Sequence, residues 1–278
     1  MALSGIYRLF SGKPVHPVGA DGRMALSDHL RELRGRILKV VLALVVALVV
    51  ALYFFDPLFE FVYAPYKDAQ ESLPKGSSFA TTSGAAGGLM LYLKLCGFAA
   101  LIGTSPFWLY QIWAFILPGL HPSERRWSAI FVAVAAPLFL VGIALGFVTL
   151  PKGLEVLIGL NPDGITNLVD FNDYLQFFFR TLLVFGLAFE IPVFVVMLNL
   201  AGVVKGKTLG RYRAWIVIGI FVFAAVATPS TDPFTMTFMA VPMVILYFIS
   251  EVIARVNDNR RERRNPYADL SPDEVSPL

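Results

Sequence analysis

The carboxyl group of Glu190 sits among apolar side chains on both sides, in the run F-G-L-A-F-E-I-P-V-F-V-V-M-L over 185–198. It lies near the midpoint of 174–204, a stretch long enough to cross a bilayer. An acid at the centre of a spanning helix costs roughly 2.5–3.5 kcal/mol on insertion scales. A group kept there faces a bundle interior or a wet cavity, so its chemistry is a hydrogen bond or a charge pairing at membrane depth. Pro192 lacks an amide proton and allows a bend beside it. A second reading stays open, in which a neutral glutamic acid bonds a neighbouring helix for packing alone.

Three other acids stand where arginines gather or helices turn. Glu32 belongs to S-D-H-L-R-E-L-R-G-R over 27–36, with Leu33 and Arg34 beside it. On residue types alone this is an amphipathic helix start with an i,i+4 Glu32–Arg36 pair, its bases resting on anionic headgroups. Glu124 precedes Arg125 and Arg126 in Y-Q-I-W-A-F-I-L-P-G-L-H-P-S-E-R-R-W over 110–127, which also holds Phe115. By itself it reads as a helix-start acid that favours the first turn. Asp232 lies in T-P-S-T-D-P over 228–233, where a turn or helix cap is the plain role.

The elements that must position these groups are read from hydropathy. Of 278 residues, 56% are hydrophobic and only 15% are charged, where a soluble domain carries about 25%. Runs nearly free of charge cover 37–55, 89–117, 127–150, 174–204, 214–227 and 234–253. Crossing about 30 Å of hydrocarbon takes roughly 20 helical residues, so the fifth run is short and implies local thinning. The expected class is an all-α polytopic membrane protein with six transmembrane helices. It divides into a cytoplasmic segment 1–36, a membrane domain 37–254 and a tail 255–278 whose polar, proline-containing composition reads as disordered.

Base placement orients the chain. Eighteen of its 23 lysines and arginines fall on the N-terminal segment with Lys39 at the start of the first run, the second and fourth loops and the tail. Lys67, Lys75 and Lys152 fall on the other side, while Lys94 and Arg180 lie within spans near their outer ends, where they can snorkel. The bias puts both termini in the cytoplasm of a bacterial-type inner membrane and supports an even number of spans. The three histidines lie outside the apolar runs, there is no H-E-x-x-H motif, and Cys96 stands alone. The expectation is therefore no enzyme, no metal and no cofactor. A secondary transporter or channel built on the central acid is the competing class. It would call for several polar groups converging at mid-membrane, and only one acid lies there.

Taken in order and at these span boundaries, H-L-x-E-L-R, A-F-x-x-P-G-L…E-R-R, F-G-x-x-F-E-x-P and T-P…D-P…P-M resemble the TatC family, the multi-spanning component of the twin-arginine protein translocase. The likeness covers about 26–251. It departs at 85–88 (A-A-G-G), where many relatives carry an acid near the start of the second span, and in the two dozen residues before Leu26. The resemblance implies a receptor with a concave face that binds twin-arginine signal peptides of folded cargo. It also implies single-span partners of the TatA and TatB type, and self-association. Carried over by motif, Glu124 would pair the signal arginines, and Glu32, Leu33, Arg34, Arg125 and Arg126 would share that signal-peptide-binding surface. Phe115 would line its membrane edge, Glu190 would contact signal or partner helices, and Asp232 would act at the outer hairpin.

Overall fold

A computed structural model describes residues 26–73, 78–82, 84–116, 124–160, 166–200, 202–227 and 233–264. The chain order is α1 (Leu26–Tyr53), α2 (Phe55–Glu71), β1 (Ser78–Thr81), α3 (Gly87–Gly103), α4 (Ser105–Ile116), α5 (Glu124–Gly159), β2 (Asn167–Asp170), α6 (Phe171–Leu200), α7 (Gly206–Arg211), α8 (Arg213–Ala227) and α9 (Pro233–Arg264). Four helices contain stretches long and apolar enough to cross a membrane: His29–Tyr53, Phe131–Gly159, Phe171–Leu200 and Met236–Arg263. A fifth crossing is formed if α3 and α4 count as one bent span, and α8 is a shorter apolar helix. The protein is a multi-pass, mostly helical membrane protein.

Two elements differ from the sequence reading. The run 89–117 is not one straight span, because the chain bends by 58° between Gly103 and Ser105. Pro106 is the cause: it removes one helical donor and disfavours helical geometry at the residue before it. Side chains add bonds to carbonyls at the bend. The Thr104 hydroxyl donates to Ala100 O at 2.7 Å, and the Trp108 indole N–H donates to Leu101 O at 2.8 Å. In addition, α1 carries the 27–36 motif and the first apolar run in one uninterrupted helix. Finally, α9 continues through Arg264, so the first ten residues of the expected disordered tail are helical. The Lys207–Glu262 pair at 3.2 Å and the bonds of Asp258 to Asn199 and Gly206 tie that stretch to the bundle.

The centre of the bundle is the α5–α6 pair. Small residues let the two backbones approach: a Cβ added at Gly142 would lie 2.6 Å from Phe185 O, and one at Gly186 would lie 2.8 Å from the Phe139 ring. Without a hydrophobic driving force inside lipid, such close packing is what holds helices together. Gly142→Val should therefore force the helices apart and destabilise the protein by about 1–3 kcal/mol, read as a lowered thermal midpoint in detergent. An unchanged midpoint would mean that the contact contributes little.

One end of the bundle carries a cap in which both long loops meet. β1 and β2 pair in parallel, Ser78 opposite Asn167 through Thr81 opposite Asp170. Two such strands alone are marginal, and neighbours brace them. Tyr66 OH and Ser78 Oγ lie 2.7 Å apart, Gln70 Nε2 donates to Ser78 O, and Tyr174 OH donates to Val62 O at 2.6 Å. Asp170 caps α6 by accepting from the Asn172 amide at 2.7 Å. The opposite end, called the base here, gathers the start of α1, the end of α4, the end of α6, α7 and the end of α9.

Candidate functional site

At the base, two motifs 75 or more residues apart in sequence come together through one arginine. Arg36 donates from Nε (2.9 Å) and Nη2 (2.5 Å) to Glu32 Oε1, from Nη1 to Gln111 Oε1 at 3.2 Å, and from Nη2 to Ala114 O at 3.0 Å. The last bond satisfies one of the orphan carbonyls that every helix leaves at its C-terminus. One turn away, the His29 and Phe115 rings stack with centroids 4.4 Å apart. The sequence motif thus forms because α1 presents His29, Glu32, Leu33 and Arg36 to the last turn of α4.

Glu32 is held but not used up. Both guanidinium bonds fall on Oε1, and Oε2 has no hydrogen bond among the described residues. Arg34 points outward and is exposed, whereas Leu33 and Phe115 are half-buried. Together with Arg36, Ile37, Val40, Val41, Leu101, Trp108, Gln111, Ile112 and Ile116, Leu33 and Phe115 line an apolar groove of about 560 Å³ descending along α1. Glu124, Arg125 and Arg126 form the first turn of α5, and their side chains lie outside the described residues. Asp232 also lies outside them.

Glu190 is placed on α6 facing the end of α4. Both carboxyl oxygens are covered from solvent and make no hydrogen bond among the described residues, and the Trp113 indole N–H is equally unpartnered there. The two groups are neighbours, yet they do not reach bonding geometry. Trp113 also packs against Phe131 and Phe194, at 5.9 and 6.3 Å between centroids. The carboxyl group is therefore covered within the bundle. A buried polar group without a partner costs about 1–3 kcal/mol.

Sequence reasoning passed over a second arrangement at the base. Glu251 is buried and accepts from Arg213 Nη2 at 2.8 Å, Arg213 Nε at 3.1 Å and Arg255 Nε at 2.8 Å. It joins the start of short α8 to α9, and Tyr247 OH adds a 2.8 Å bond to Leu209 O. The i,i+4 spacing of Glu251 and Arg255 was legible in the chain, but the reach to Arg213 across 38 residues was not. Among the described residues, no group of three or more His, Cys, Asp or Glu could hold a metal.

This geometry can be set beside known proteins. A family model for the Sec-independent protein translocase protein TatC matches residues 28–242. The Sec-independent protein translocase protein TatC of Frankia casuarinae is 44% identical, covering 93% of this chain and 74% of that protein. The protein of that name from Escherichia coli (strain K12) is 32% identical over 86% of this chain and 91% of its own length. Among solved structures, the twin-arginine translocase receptor TatC in DDM is similar with a TM-score of 0.66 and 29% identity. That match covers 81% of this chain and 99% of the other. With a similar arrangement of membrane helices and the segments 27–36 and 110–116 meeting at one end, the chain belongs to the TatC family, a component of the Sec-independent protein translocase that works in protein transport.

Proposed function

We propose that the base is a cytoplasmic receptor surface for twin-arginine signal peptides, in a protein that crosses the inner membrane six times with both termini inside. The observation that carries this reading is the joining of Glu32 to the end of α4 through Arg36, beside the His29–Phe115 stack. Glu124, which opens α5 a few residues after α4 ends, completes the surface as the acid that pairs the signal arginines. Arginine makes planar, bidentate bonds to carboxylate that lysine cannot copy, and the surrounding bases repel cations lacking that geometry. The Oε2 of Glu32, unpaired among the described residues, supplies a second acceptor, Leu33 and Arg34 flank it, and Arg125 and Arg126 maintain the repulsive field. A signal peptide continues from its basic part into 7–15 apolar residues. The groove below Phe115 suits that sequel.

The partners in this reading are single-span proteins of the TatA and TatB type, together with further copies of the chain. Glu190 meets them, or an inserted signal, after turning away from Trp113. Asp232 orders the hairpin between α8 and α9 or touches a partner from the outer side.

Two experiments bear on this. Photo-reactive residues at positions 32, 115 and 124 should each crosslink to a twin-arginine peptide, while one at 168 on the cap should not. Crosslinks at 168 alone would overturn the assignment of the surface. For topology, single cysteines at 207 and 75 should be labelled by an impermeant reagent from opposite faces, 207 from the cytoplasm. Labelling from the same face would exclude the six-span arrangement.

A further inference from the structure

We propose that the flank of α1 around Lys39 is a binding site for one anionic phospholipid, its phosphate on the Lys39 ammonium and an acyl chain in the groove beneath. Lys39, Leu42, Ala43, Val46 and Ala47 follow i, i+3, i+4, i+7, i+8 spacing and so share one face of α1. That face forms one wall of an apolar groove of about 480 Å³, and Thr104 and Phe107, at and just after the α3–α4 bend, form the other. Ala43 and Ala47, one turn apart, give it depth.

The charge decides what fills it. Arg36, three residues before Lys39, has its guanidinium engaged by Glu32, Gln111 and Ala114 O. Lys39 is half-buried and makes no hydrogen bond or ion pair among the described residues, although it lies inside the apolar stretch His29–Tyr53. An ammonium at such a level finds a counter-charge or snorkels to the headgroups. The groove itself provides none, since the Thr104 hydroxyl is spent on Ala100 O. An apolar partner helix would fill the groove and leave the ammonium unpaired. An anionic phospholipid satisfies both, and basic pockets between helices near the polar boundary recruit such headgroups. The length agrees as well: from Lys39 to Ala47 the helix rises about 12 Å, within the roughly 15 Å depth of one leaflet. This site lies on a different face of α1 from Leu33, Ile37 and Val41, and it does not depend on signal-peptide recognition.

The test uses the purified full chain in neutral detergent, offered equal amounts of phosphatidylglycerol and phosphatidylcholine with the same acyl chains, with bound lipid counted by native mass spectrometry. The parent should retain phosphatidylglycerol preferentially. Lys39→Gln should lower its retention about five-fold, to the phosphatidylcholine level, and Lys39→Arg should keep the preference. Ala43→Leu with Ala47→Leu should reduce both lipids by filling the groove. Arg31→Gln, an exposed base at the same end, should leave the preference intact. No preference in the parent, an unchanged preference in Lys39→Gln, or an equal loss in Arg31→Gln would overturn the proposal.

Discussion

Glu124→Gln is expected to abolish binding of a twin-arginine peptide while leaving the protein folded and inserted. Glutamine matches the volume of glutamate and removes only its charge. A helix-start acid contributes about 0.3–1 kcal/mol to its helix, too little to unfold the bundle. A hydrogen bond to a charged group contributes about 1.5–3 kcal/mol, and paired guanidinium groups make more than one. The affinity should therefore fall about a hundredfold or more at low salt, measured by calorimetry with the purified protein. Binding like the parent's would remove Glu124 from the surface and return it to its helix-start role.

The second large effect separates Glu190 from Glu124. Replacing a carboxyl whose oxygens are covered and unpaired among the described residues should stabilise the isolated protein, because the desolvation penalty of about 1–3 kcal/mol disappears. Glu190→Leu is thus expected to raise the thermal midpoint and keep peptide binding at the base, yet impair partner-helix association and transport. Glu190→Ala should behave alike in transport with less gain in stability, and Glu190→Gln should be intermediate, since an amide still donates and accepts. Interhelical hydrogen bonds in membranes average about 0.6 kcal/mol, so assembly should weaken without the bundle failing. A leucine variant that transports fully would leave Glu190 a packing residue only.

These two acids illustrate what a single sequence discloses. Glu190 was visible because a charge in an apolar run is expensive wherever the run lies. Glu32 and Phe115 were visible as motif members, and the structure brings their helices together. The joint itself was not legible: in sequence Arg36 reads only as the i,i+4 partner of Glu32, and the fold shows it bonded as well to Gln111 and the Ala114 carbonyl. The stack of His29 on Phe115 was hidden in the same way, since ring contacts between distant segments leave no periodic trace.

Elsewhere the signals were present and outweighed. Ser105-Pro106 marks the bend at Thr104, but the hydropathy of 89–117 runs through it without a break. The polar composition after Arg255 suggested disorder, whereas the bonds of Asp258 and Glu262 to the α6–α7 region carry the helix to Arg264. The four-residue strands of the cap are too short for alternation to declare them, and their pairing joins loops almost 90 residues apart. The covering of Glu190 by Trp113 was likewise beyond reach, because it depends on how α4 tilts after the bend.

The most direct measurement compares a twin-arginine peptide with a twin-lysine peptide of equal charge, each titrated against the parent protein and against Glu124→Gln. The parent is expected to prefer arginine strongly, and the preference should collapse in the variant, because a planar carboxylate is what tells the two cations apart. An arginine preference that survives intact in Glu124→Gln would contradict carboxylate recognition at the base.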